Sequence, residues 1–248
     1  MKLLESVQST LDRISRDRKF KQQFAEFDRL TKEATTRSGP LWEERYPCLD
    51  DATAETGFDR HYVYFPAWAA RVLAQTKPQK HADISSTLHF CAIVSAFVPF
   101  EFFDYRPAAL FLPGLASNAA DLTKLDWPDA SVESLSCMHV IEHVGLGRYG
   151  DPLDPDGDMK AIRELVRVLA PGGSLLVAVP VGRERICFNA HRIYDAKTFA
   201  TYFPGLELVE FALIPDGDAP DGLIREDAFE VAGRQSYGCG CYWFKRPA

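Results

Sequence analysis

Residues 121–180 read DLTKLDWPDASVESLSCMHVIEHVGLGRYGDPLDPDGDMKAIRELVRVLAPGGSLLVAVP, and their order of elements decides the fold. Trp127 to Ser131 is a turn, because Pro128 fixes φ and the Asp129 and Ser131 side chains can bond nearby backbone. Val132 to Met138 follows as a short strand. Met159, Ile162, Leu165, Val166 and Leu169 recur at spacings of three and four, which predicts a helix with one buried face. The helix is expected to stop at Pro171-Gly172-Gly173, and the apolar run Leu175 to Val179 is an inner strand covered on both faces. Strand, helix, strand in this order make a parallel βαβ unit. Between the first strand and the helix lies the polar loop His139 to Asp158, with two histidines, Glu142, Arg148, Tyr149 and four aspartates. In an open α/β sheet ligands bind at the carboxyl ends of strands, so the chemistry is expected there.

Asp121, Leu125 to Asp129, Glu142-His143-Val144 and Arg167-Val168-Leu169-Ala170-Pro171-Gly172-Gly173 stand as a block that resembles the class I S-adenosylmethionine (SAM) dependent methyltransferase superfamily. The resemblance implies a Rossmann-like α/β fold, a mostly parallel seven-stranded sheet with an antiparallel last strand, and SAM as cofactor, with no metal. The longer string HVIEHVGLGRYGDPLDPDGD, together with FNAHRIY at 188–194, resembles a narrower family of methyltransferase-like proteins catalogued as a domain of unknown function. That family is often associated with bacterial surface-polysaccharide genes, and the likeness spans residues 60–215. It implies a small-molecule or glycan acceptor.

At 248 residues the chain suits one α/β domain (61–248) preceded by a helical extension and linker (1–60). The 28 Lys and Arg against 35 Asp and Glu leave a formal charge of -7, which argues against a nucleic-acid partner. No apolar run has the length of a membrane span, and MKLLESVQSTLDRISRDRK lacks the apolar core of a signal peptide, so the expected location is cytoplasmic. Six cysteines do not make a disulfide framework here. Cys239-Gly240-Cys241 has a single intervening residue and no neighbouring His in the sequence, and reads as buried thiols in a strand.

Residues 1–33 read as one or two helices with Leu4, Val7, Leu11 and Ile14, then Phe20, Phe24, Phe27 and Leu30, on one face. That face suits packing on the core or on a second copy, and the basic residues at 13, 16, 18, 19 and 21 suit an anionic lipid surface. Thr35 to Tyr46 is a linker. Tyr64 to Leu73 starts a helix with Pro66 in its first turn. His81 to Ile84 is the first strand of the sheet. After Asp83, the resemblance places a cofactor-binding turn at Ser85-Ser86, where the superfamily has glycines. Pro99 to Asp104 is the second strand, and Asp104 lies 21 residues after Asp83, a spacing at which a carboxylate can accept hydrogen bonds from ribose hydroxyls. Tyr105 can stack on adenine. A third strand runs near Asn118 to Ala120, and the resemblance gives Asp121-Leu122 the adenine contacts. Asp195 to Phe203 is a helix. Leu206 to Ile214 and Tyr237 to Lys245 form a closing antiparallel pair, separated by the turn-rich Pro215 to Gly222.

His143, then His191 and His139, are candidate general bases, since histidine titrates in the physiological range. Glu142 or Asp151 would orient the imidazole, and His139 also borders the cofactor. Arg148, Arg185 and Arg192 can hold a carboxylate or phosphate, with Tyr149, Asn189 and Tyr194 beside them on the acceptor side. His139 to His143 also spells H-x-x-E-H, but that zinc motif needs a helix, and a strand leads straight into this one. Asp151 to Asp158 lacks the closing Glu of a calcium loop. Three readings follow: an O-methyltransferase of a sugar or glycan precursor, a methyltransferase-like scaffold without transfer, and a metal-assisted enzyme on the same fold.

Overall fold

The computed structural model describes residues 2–34, 38–217 and 222–248, with side chains described from residue 10 onward. Leu4, Val7, residues 35–37 of the expected linker and residues 218–221 of the expected turn-rich segment lie outside what is described. Two compact units divide the chain, Met1–Gly57 and Phe58–Ala248.

In the first unit the N-terminal stretch is a single helix, α1 (Lys2–Ala34). Phe20 and Phe24 pack their rings on Trp42, at centroid distances of 6.2 and 5.0 Å, and the Arg45 guanidinium covers the same indole. Trp42 lies in a short 3-10 turn, Trp42–Glu44, inside the expected linker. Several charges of α1 are paired along its own surface, as Lys21 with Asp17 and Arg29 with Glu26 and Glu33, and Arg16 pairs with Asp50. Leu11, Ile14, Phe27 and Leu30 are exposed. No described helix is long and apolar enough to cross a membrane.

The second unit opens with α2 (Arg60–Thr76), four residues earlier than Tyr64. The reason is Asp59, whose carboxylate accepts the Tyr62 N–H and caps the helix. Pro66 consequently sits in the second turn. The buried residues Phe65, Trp68, Ala69, Val72 and Leu73 follow the helical period. Then come β1 (His81–Ile84), α3 (Leu88–Val94), β2 (Phe100–Asp104), β3 (Leu115–Ala119) and β4 (Val132–Met138). A 3-10 turn over Ile141–His143 leads towards α4 (Gly157–Val168), and β5 (Leu169–Val181) follows without a gap. The helix therefore ends three residues before Pro171, because Leu169 is already extended and pairs with Val132. The remaining elements are β6 (Arg185–Cys187), β7 (His191–Ile193), α5 (Ala196–Ala200), β8 (Glu207–Ile214), α6 (Ala228–Ala232) and β9 (Gly238–Lys245).

Seven strands form one sheet in the order β3-β2-β1-β4-β5-β9-β8. The first five are parallel, while β9 runs antiparallel to β5 and β8 antiparallel to β9. Apolar residues cover both faces. Leu135, Cys137, Leu175, Val177 and Val179 pack with Ile162 and Leu165 of α4 on one side. Met138, Leu176 and Ala178 pack with Phe65, Trp68 and Val72 of α2 on the other. Arg167 ties the Leu-Asp-Trp-Pro-Asp turn to the end of α4. Its guanidinium donates to the Leu125 and Trp127 carbonyls at 2.9 and 2.7 Å and to Asp129 at 2.7 Å. Strand order reverses between β1 and β4, which opens a crevice above their carboxyl ends.

Candidate functional site

A cavity of about 300 Å³ fills that crevice, a volume at the lower end of the range for small-molecule pockets. Its wall is contributed by consecutive strand ends: Ile84 and Ser85 after β1, Asp104, Tyr105 and Arg106 after β2, Asp121, Leu122 and Thr123 after β3, and His139 and His143 after β4. Tyr149 and Asp151 close it from the long loop. The structure thus brings together Ser85, Asp104, Tyr105, Asp121, Leu122, His139, His143, Tyr149 and Asp151 of the expected residues.

Each is held for a local reason. Ser85 has φ +54°, the left-handed region that glycine adopts at least cost. Its amide donates to the Phe103 carbonyl at 2.7 Å and its hydroxyl to the same oxygen at 3.2 Å, so the serine makes the turn expected of a glycine. Asp104 Oδ1 accepts the Arg106 N–H at 2.6 Å, and Asp121 Oδ1 accepts from the Thr123 amide and hydroxyl at 2.8 and 2.7 Å. Both carboxylates are fixed at their strand ends by side-chain turns. Tyr149 stands between the Arg106 and Arg148 guanidiniums, 4.8 and 5.1 Å from its ring centre. Arg106 was not among the sequence candidates, although it directly follows Asp104-Tyr105.

The two histidines differ. His143 Nδ1 lies 2.6 Å from the Ala190 carbonyl oxygen; a carbonyl only accepts, so Nδ1 carries a proton. Arg148 donates to the same carbonyl at 3.0 Å. His143 Nε2 is 3.7 Å from Glu142 Oε1. His139, at φ +58°, donates Nδ1–H to Glu142 Oε1 at 2.8 Å. Glu142 is wholly buried. Burial pushes its carboxyl up, yet the electrostatic influence of the adjoining His139 and His143 rings and the His139 hydrogen bond pull it below the usual carboxylate range overall.

Several expected residues stand elsewhere. Asp151 does not orient an imidazole: its carboxylate accepts the Gly145, Gly147 and Tyr149 amides at 2.8, 3.3 and 3.2 Å and pins the loop. Arg192 is buried and donates to the Val144 and Pro155 carbonyls, and the Tyr194 hydroxyl donates to Asp158 at 3.0 Å. Neither lines the cavity, because β7 turns both inward behind the loop. Arg185 donates to the Arg183 and Ser236 carbonyls, away from the cavity. His191 packs against Tyr237 at 4.9 Å and His143 at 6.4 Å, and burial holds it below the usual histidine range. Asn189 also lies outside the cavity wall.

Asp83 and Ser86 sit beneath the cavity rather than on it. The Ser134 hydroxyl donates to His81 Nδ1 at 2.8 Å, His81 Nε2–H to Ser136 at 2.8 Å, and Ser136 to Asp83. The Ser86 amide completes the chain on Asp83 Oδ1 at 3.0 Å, and the Ser86 hydroxyl accepts the Met138 N–H at 3.1 Å. Burial pushes Asp83 up from 3.8 to about 6 and pulls His81 down to about 3. Between these two Asp83 values the folded chain holds more protons at this site than the unfolded chain does. The carboxyl's contribution to stability therefore falls as pH rises through the window. Asp83→Asn removes that fall, so its stability relative to the wild type is expected to climb by about 2–3 kcal/mol between pH ~4 and ~6.5 in urea unfolding. His81 has the opposite slope but is common to both proteins. A flat difference would mean that Asp83 does not titrate in this range.

The model of a family described as "Caenorhabditis protein of unknown function, DUF268" matches residues 126–214. No curated protein matches the sequence. Among solved structures, a Bacillus halodurans C-125 protein crystallised as a candidate methyltransferase is 13% identical, over 74% of this chain and 99% of its own, with a TM-score of 0.51. The N-methyltransferase NodS of Bradyrhizobium japonicum WM9, crystallised with S-adenosyl-L-homocysteine, is 17% identical over 74% of this chain and 86% of its own, with a TM-score of 0.50. The likeness is one of architecture: the chain has the mostly parallel, seven-stranded, Rossmann-like fold of the class I methyltransferases.

Proposed function

We propose that this chain is a SAM-dependent methyltransferase whose acceptor is a hydroxyl of a sugar or glycan precursor. The observation that carries the reading is the convergence of Ser85, Asp104 and Asp121-Leu122, from three successive strand ends, on one cavity that also contains His143. The wall suits the cofactor: Asp104 and Asp121 would offer carboxylates to its hydroxyl and amino donors, and Ile84, Leu122 and Val140 supply apolar surface for a base. Asp104 would hold the ribose hydroxyls and Asp121 with Leu122 the adenine. When bound, SAM supplies an electrophilic methyl group.

His143 then acts as general base. With its Nδ1–H committed to Ala190, Nε2 takes the acceptor proton. The imidazolium so formed is stabilised by the buried Glu142 carboxylate 3.7 Å away. Arg148, held on the Ala190 carbonyl, and Arg106 offer positive charge at the Tyr149 rim. The sugar class of the acceptor rests on the sequence resemblance. Serines in place of glycines at Ser85-Ser86 would favour the scaffold reading, but Ser85 takes the left-handed conformation that a glycine there would supply, which weakens that argument.

Isothermal titration with SAM and S-adenosylhomocysteine tests the reading. Wild-type protein is expected to bind both. Asp104→Ala is expected to weaken both by about 10- to 100-fold, the loss of hydrogen bonds to a charged acceptor. Absence of binding at millimolar ligand, or equal binding by Asp104→Ala, overturns it.

A further inference from the structure

Behind the cavity wall lies a second cluster. His61 in the first turn of α2, His139 just past β4 and Cys239 in β9 are all buried, and one ligand atom from each lies within 4.8 Å of the other two. The His61 and His139 rings stack at a centroid distance of 5.2 Å. His139 Nε2 is fully buried and has no hydrogen-bond partner among the described residues. An orphaned buried polar atom is costly and needs an explanation. The opposite ring nitrogen, Nδ1, is bound by Glu142 Oε1, whose second oxygen is also buried without a partner. Carboxylate, imidazole and an unfilled second nitrogen in line form the arrangement by which proteins orient a metal-binding histidine.

We propose that His61, His139 and Cys239 form a binding site for a borderline-soft divalent metal ion, zinc foremost, with Glu142 as the positioning residue behind His139. Two imidazoles and one thiolate match the ligand preferences of zinc, and three protein donors leave a fourth position for water or a small ligand. Tetrahedral zinc with ordinary bond lengths sets its ligand atoms about 3.4–3.7 Å apart, so binding draws the three together by about 1 Å. The Cys239 thiol gives its proton to solvent as the metal enters. His139 belongs to both the cluster and the cavity wall, and the metal would fix the wall at that point. The inference stands independently of the methyltransferase reading, since metal content and SAM binding are measured separately.

The test is elemental analysis of full-length protein after exhaustive gel filtration, with cobalt(II) titration of the metal-free protein. Stoichiometric zinc in the wild type and in Cys241→Ser, and its loss in Cys239→Ser and His61→Gln, are expected. Cobalt should give a thiolate charge-transfer band in the wild type that Cys239→Ser lacks. Glu142→Gln should retain the metal with about 10- to 100-fold lower affinity. Absence of stoichiometric metal and of the cobalt band in the wild type overturns the proposal. So does equal retention by all variants, or loss in Cys241→Ser alone. If Cys239→Ser does not fold, the wild-type cobalt spectrum decides by itself.

Discussion

Arg192→Ala is expected to lose about 3–5 kcal/mol of folding stability, the range for removing one partner of a buried ion pair. Arg192 is 5% exposed, and its guanidinium joins two points of the loop between β4 and α4 to the first turn of α4. Nη1 donates to the Val144 carbonyl at 2.7 Å, Nη2 to Pro155 at 3.2 Å, and Nε lies 3.4 Å from Asp158 Oδ2. Asp158 is itself buried, and without Arg192 it keeps only the Tyr194 hydroxyl on that oxygen. The truncation thus leaves a buried carboxylate without its cationic partner and the Val144 and Pro155 carbonyls without the donors Arg192 gives them. Arg192→Lys restores the charge but not the planar geometry and is expected to fall between the two. Urea unfolding measures the loss, and hydrogen exchange should locate it in residues 139–158. A loss below about 1 kcal/mol, the value of a surface pair, would show that Arg192 does not hold the loop.

That residue also shows where the sequence stops being informative. Arg192 and Tyr194 are expected on the acceptor side, and their segment does follow the carboxyl end of β5, yet neither lines the cavity. The partners of Arg192 lie 37 and 48 residues away, and no local pattern announces them. The βαβ core was legible because its signals are local: the spacing of Ile162 and Leu165, the apolar run into Val179, the turn at Trp127-Pro128. The place of Asp104 and Asp121-Leu122 on the cavity wall could be read for the same reason, since Asp104 ends β2 and Asp121 stands two residues past β3. His61, His139 and Cys239 come from three remote segments, and Cys239 has no histidine nearby except in space. A trace was available for His61, which stands four residues before Phe65 on the buried face of α2. A polar ring on that stripe needs a partner inside the protein.

His143→Asn is expected to lower kcat by about 10²- to 10⁴-fold, the contribution of a positioned general base, while SAM affinity stays within about two-fold, well under the ~1.4 kcal/mol of a tenfold change. Asparagine is chosen because its amide can still donate to the Ala190 carbonyl, which Nδ1–H now engages at 2.6 Å. What it removes is Nε2, the nitrogen that faces Glu142. The loop should therefore keep its conformation, and the loss should appear in kcat rather than in binding. The rate is read by methyl transfer to whichever member of a sugar panel the wild type turns over. His191 is the control. It packs against His143 and Tyr237 without lining the cavity, so His191→Asn should cost much less. If His143→Asn loses less than ten-fold while His191→Asn loses more, the base is His191, and the loop that carries Ala190 would have to move to bring it to the acceptor.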